Sequence, residues 1–129
     1  EAGFIALHFI NGVYDTTLHD VQAISDILQK SLELVQEDFG TWVNTHSMHY
    51  ERFMAHLKFL ARRIAGGELL KDEEPEMAEL IRRKYPREYA CGGRIAAYIE
   101  QRYQAKLTGE EVLYLAIHIR RVTMQENEA

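Results

Sequence analysis

The chain has 129 residues, 47% of them hydrophobic, and its 15 basic against 20 acidic side chains give a formal net charge of −5. That is enough apolar material for one buried core, while the acidic balance argues against a general phosphate footprint for RNA or DNA. Cys91 is the sole cysteine, which excludes an internal disulfide and fits a reducing cytoplasm; no apolar run is long enough to cross a bilayer, so no membrane insertion is expected.

The opening stretch, "EAGFIALHFIN", is nearly repeated at residues 111–121, "EVLYLAIHIRR". Glu1 falls on Glu111, Phe4 on Tyr114, Ala6 on Ala116, His8 on His118 and Phe9 on Ile119, an offset of 110 residues. That is about the length of one ordinary domain. The expectation is that residues 1–13 are the closing helix of a preceding copy and residues 14–129 a whole second copy. The apolar start lacks the basic leader of a signal peptide.

Helical periodicity then runs almost throughout. Val21, Ile24, Ile27, Leu28, Leu32, Leu34 and Val35 follow three-four spacing, which predicts a helix over about 18–37 with Thr17 as N-cap. Gly40 breaks it, and Asn44 or Thr45 offers the cap of a second helix over about 46–65, ended by Gly66-Gly67. On that helix Tyr50, Phe53, Leu57, Phe59 and Leu60 read as core. Pro75 suits the first turn of a short third helix to about 85. Pro86 opens a fourth to about 106, weakened by Gly92-Gly93 inside it. Thr108 with Glu111 three residues on forms a capping box for a fifth helix, fraying after Arg121. No stretch alternates like a half-buried strand. The reading is all-α, a five-helix bundle preceded by one extra helix.

Nucleophile elbow, glycine-rich phosphate loop and paired cysteines are all missing from the sequence, so any chemistry lies among six histidines. His118 in "YLAIHIRR" reads most simply as a core histidine with satisfied nitrogens, yet His8 repeats its context, as a site present once per domain would. His56 in "YERFMAHLKFLARR" has Arg52 one turn before it and Arg63 two turns after, on or near its face. It is either a helix histidine among solvated charges or one able to hold phosphate beside arginines. His46 and His49 are a turn-spaced pair that could ligate zinc, with His56 or a glutamate as third ligand, but "HSMH" lacks the glutamate of the metalloprotease helix. His19 reads as a helix-start surface residue.

At these residues the sequence resembles the PTS regulation domains of BglG/LicT-type bacterial transcriptional antiterminators. "HYERFMAHLKFLARR", "YPREYACGGRIAAYIEQRY" and "LTGEEVLYLAIHIRR" look like the second of two tandem regulation domains, and "EAGFIALHFIN" like the last helix of the first. The resemblance spans essentially the whole chain. It implies five helices per domain, a homodimer, a cytoplasmic protein, and RNA binding only through a small N-terminal domain not in this sequence. It also implies regulation rather than catalysis, by histidine phosphorylation from the phosphocarrier HPr and from the sugar-specific permease component of the phosphotransferase system. By position, His56 and His118 match the two phosphorylatable histidines of the second domain, and His8 the second histidine of the first. Arg52, Arg63, Arg120 and Arg121 are candidate phosphate partners. No catalytic residue, cofactor or metal is expected. The alternatives are the same domain in a DNA-binding transcriptional activator, a helical metal-dependent hydrolase built on His46, His49 and His56, and a plain helical interaction domain.

Overall fold

The computed structural model describes residues 18–40, 43–68 and 75–124. Residues 1–13, His8 and the expected cap Thr17 lie outside the described residues, so the fragment of a preceding copy is not addressed by them. Among the described residues there are five helices and no strand: α1 Leu18–Phe39, α2 Met48–Ala65, α3 Pro75–Lys84, α4 Pro86–Tyr103 and α5 Gly109–Met124. None is long and apolar enough to cross a membrane.

The helices form where the apolar period predicts them, and their ends are set by local chemistry. α1 runs two residues past the expected end, to Gly40, whose φ of 66° no side chain would tolerate as easily. Its amide donates to the Gln36 carbonyl at 2.8 Å. α2 is capped by Ser47 rather than Asn44 or Thr45: the Ser47 hydroxyl accepts from the Tyr50 amide at 3.0 Å. The Asn44 side chain is instead engaged one turn earlier, accepting from the His46 amide at 3.0 Å. α4 stops at Tyr103, three residues short of the expected 106, because Gln104 takes the left-handed conformation (φ 55°) and ends the ladder. α5 begins as its cap predicts, with the Thr108 hydroxyl accepting from the Glu111 amide at 3.1 Å, and continues to Met124 rather than fraying after Arg121.

α5 is the central element, packed on α2, α3 and α4, while α1 packs on α2 and α4. Ile27 and Val35 of α1, Phe53, Leu57 and Leu60 of α2, Ile95 and Ile99 of α4, and Leu115, Ile119 and Val122 of α5 make one core. Burying a side chain of this size contributes about 1.5–3 kcal/mol. Two positions expected in apolar faces are not there: Val21 is 49% and Phe59 67% exposed. Phe59 lies two residues from Leu57, about 200° round the helix, and so falls opposite the buried stripe.

Gly92-Gly93 does not break α4. Gly92 is buried where α4 meets α5, and a methyl there would lie 3.2 Å from the Val112 carbonyl and 3.4 Å from Leu115 Cβ. The missing side chain is what lets the two backbones approach. At the other end, Asp26 of α1 accepts from the hydroxyls of Tyr98 at 2.8 Å and Tyr103 at 2.5 Å. Burial and that bond push the Tyr103 phenol up to about 12. Arg94 pairs with Glu37 at 3.1 Å and with Asp38, fixing the C-terminal end of α1 to α4. Cys91 is buried and its thiol is pushed up to about 12, mainly by burial, so it packs as an inert small hydrophobe.

Candidate functional site: a histidine pair between α2 and α5

His56 precedes Leu57 at the edge of the buried stripe of α2, and His118 precedes Ile119 at the edge of that of α5. Because these two faces pack together, imidazoles 62 positions apart in sequence (118 − 56) meet, with ring centroids 5.1 Å apart and planes tilted 32°. The Phe53 ring stacks on His118 at 5.9 Å, and Tyr114 meets His56 edge-on at 5.9 Å. Both histidines are only partly buried, so the pair sits at the lip of the core with one side open.

Glu111 and Arg63 complete the cluster. Glu111 is seven residues before His118, and Arg63 seven after His56; two helical turns place each on the same face as its histidine. Glu111 Oε2 lies 3.9 Å from His56 Nε2, and Glu111 Oε1 lies 3.9 Å from Arg63 Nη1. Arg63 also pairs with Glu68 at 3.5 Å. The Glu111 amide serves the cap of α5, while its carboxylate is turned to α2.

The electrostatics keep both rings neutral at physiological pH. His118 is pushed down to about 4, first by burial, then by repulsion from His56 once that ring is protonated, and then by Arg121, Arg52 and His49. His56 is held below its usual range by burial and then by Arg63. Glu111 is displaced upward, burial outweighing the pull of Arg63. The His56–Glu111 approach is therefore a meeting of a neutral imidazole with a carboxyl group, not an ion pair, although its distance alone would pass for one.

Of the four arginines expected around phosphate, Arg63, Arg52 and Arg121 act electrostatically on the pair. Arg120 points elsewhere, its guanidinium 3.4 Å from Glu88 and stacked 4.2 Å above the Tyr85 ring. His49 and Arg121 line a surface cavity of about 380 Å³ together with Lys84 and Arg120. His46 is exposed on the turn before α2. Among the described residues no three His, Cys, Asp or Glu side chains are grouped so as to hold a metal ion, so His46, His49 and His56 do not converge as the hydrolase alternative requires. His8 and the side chain of His19 lie outside the described residues.

Sequence reasoning assigned Glu111 to helix capping alone and missed its place beside His56. The signal was present: both copies of the repeat set a glutamate seven residues before the histidine, as Glu1–His8 and Glu111–His118.

The PRD domain family matches this chain over residues 25–122. The transcription antiterminator LicT of Bacillus subtilis is 40% identical over 125 residues, covering 97% of this chain and 45% of the relative. A beta-glucoside operon antiterminator of Dickeya chrysanthemi is 36% identical over 128 residues, 99% of this chain and 45% of its own. The GlcA/glcB genes antiterminator of Staphylococcus carnosus is 33% identical over 128 residues, 99% and 44% respectively. The chain thus spans less than half the length of these curated relatives.

Proposed function

The chain belongs to the PRD domain family, and from that premise we propose that it is the phospho-acceptor module of a transcriptional antiterminator controlling sugar-utilisation genes. His56 and His118 are its phosphorylation sites, and His8 is the corresponding histidine of the preceding domain, of which residues 1–13 are the closing segment. HPr and the sugar-specific permease component are the phosphate donors. The protein works in the cytoplasm as a homodimer, and its RNA contacts come from a separate N-terminal domain.

The observation that carries this reading is the pair itself: two neutral imidazoles 5.1 Å apart at an open lip, with Arg52, Arg63 and Arg121 acting on them. A neutral ring keeps a lone pair on one nitrogen at physiological pH, which attack on phosphorus requires. In the transfer that nitrogen forms a bond to phosphorus as the donor's bond to phosphorus breaks and its electron pair returns to the donor. The product brings roughly two negative charges and several acceptor oxygens to a place where arginines can meet them. Placed between α2 and α5, such a charge biases two packings of the dimer; about 5.5 kcal/mol of preference converts a 1:99 population into 99:1. Relatives described as antiterminators support this over the DNA-binding and hydrolase alternatives.

Incubation with phosphoenolpyruvate, enzyme I and HPr tests it. Intact mass should show acid-labile phosphate on the wild type, confined to His56 and His118, and none on the double variant His56→Ala/His118→Ala. Undiminished labelling of the double variant would sink the assignment.

A further inference from the structure

Among the described residues Glu111 is the buried acidic side chain, 8% exposed. Its Oε2 and the facing His56 Nε2 are 3.9 Å apart, too far for a hydrogen bond, and neither atom has a hydrogen-bond partner among the described residues. A buried acceptor left in this state is costly to the fold. A glutamine would cap α5 equally well, so capping does not account for a carboxylate here. Arg63 lies on the far side of the carboxyl group at 3.9 Å, shared with Glu68.

We propose that Glu111 governs how firmly phosphate is held on His56. Its carboxylate holds Arg63 while His56 is unmodified, opposes the phosphoryl group once that group arrives, and keeps it ready to return to the donor. The inference rests on the reading of His56 as a phospho-acceptor. A phosphoryl group on Nε2 would need the space that Glu111 Oε2 fills, so the carboxylate must swing out. On Nδ1 it would leave Glu111 in place but bring two negative charges to the far side of the same ring. Either way like charges meet in a partly dry site, where they interact far more strongly than in water. Displacing Glu111 also frees Arg63 for the phosphate and pulls on the first turn of α5, the helix that bears His118. Glu111 makes and breaks no bond in the transfer; it is a positioning residue. The consequence is a site whose phosphate stays in exchange with its donor and so tracks how fully the donor is charged.

The test charges the whole chain with phosphoenolpyruvate, enzyme I and HPr, then removes phosphoenolpyruvate and adds excess unphosphorylated HPr. Site-resolved mass spectrometry follows loss of phosphate from His56 and His118 separately. E111Q should retain phosphate on His56 about tenfold longer than wild type, the effect of about one pKa unit of interaction, with His118 changed less than about twofold. E111D, which keeps the charge, should return it at nearly the wild-type rate, an ordering that a purely structural role would not produce. Glu111→Met, neutral and of similar length, carries the same expectation as E111Q if the amide disturbs folding. If E111Q and wild type return phosphate from His56 at the same rate, or if both histidines change equally, this inference is wrong while the phospho-acceptor reading stands. If the wild type never takes phosphate on His56, both fall.

Discussion

His118 makes the stability of the fold depend on pH in a way that can be isolated. Its folded-state pKa is pushed down to about 4 from the ordinary histidine value of 6.5, burial first and neighbouring cationic groups after. Between those values the unfolded chain binds a proton that the folded chain refuses, so stability rises with pH across that window. The contribution is fully present above about 6.5 and is lost as pH falls towards about 4. A gap of about 2.5 units at 1.36 kcal/mol each sets a ceiling of about 3.4 kcal/mol. The ring is only part-buried, and solvent screening brings the expected effect down to about 1–2 kcal/mol. His56 is displaced the same way, by burial and then by Arg63, and a charge on His56 is among the causes that hold His118 down. Urea unfolding at pH 7.5 and pH 4.5, for wild type and His118→Gln, separates this from the carboxylates common to both proteins. The wild type should lose about 1–2 kcal/mol more than the variant between the two conditions. An imidazole titration of His118 by NMR near 6.5, or equal losses in the two proteins, would refute the argument.

The adjacent glycines of α4 should respond differently to the same substitution. Gly93→Ala adds a methyl with nothing described within 4 Å and should stabilise by about 0.5–1 kcal/mol through helix propensity. Gly92→Ala gains the same propensity but must push on the Val112 carbonyl at 3.2 Å, so it should fall below Gly93→Ala by about 1 kcal/mol or more in thermal unfolding; equal melting temperatures would contradict the close approach. Tyr103→Phe removes a hydroxyl that donates to Asp26 at 2.5 Å and should cost about 1 kcal/mol, a loss that largely vanishes in an Asp26→Asn background if the bond is its source.

The sequence by itself determined the helices. Three-four spacing of apolar residues such as Ile24, Ile27, Leu34 and Val35, the Pro75 and Pro86 starts, Gly40, Gly66-Gly67 and the Thr108 cap all act within a turn or two of chain, so each element could be located to within about three residues. The histidines and arginines were also visible, as was the glutamate seven residues before His118. The caps were less legible: Ser47, Asn44 and Thr45 are all competent, and which one serves depends on where the incoming turn places its carbonyls and amides. Only the tertiary structure decided which faces meet. Periodicity says that α2 has a buried stripe, not that this stripe lies on α5. Nothing local brings His56 within 5.1 Å of His118, aims the Glu111 carboxylate at His56 rather than back at its own cap, or turns Arg120 to Glu88 while Arg63 stays beside the pair. Gly92 shows the same division, since in sequence it weakens a helix and in the fold it is the gap through which α4 and α5 touch. Packing is a property of pairs of surfaces far apart in the chain, and a helical period describes one surface at a time.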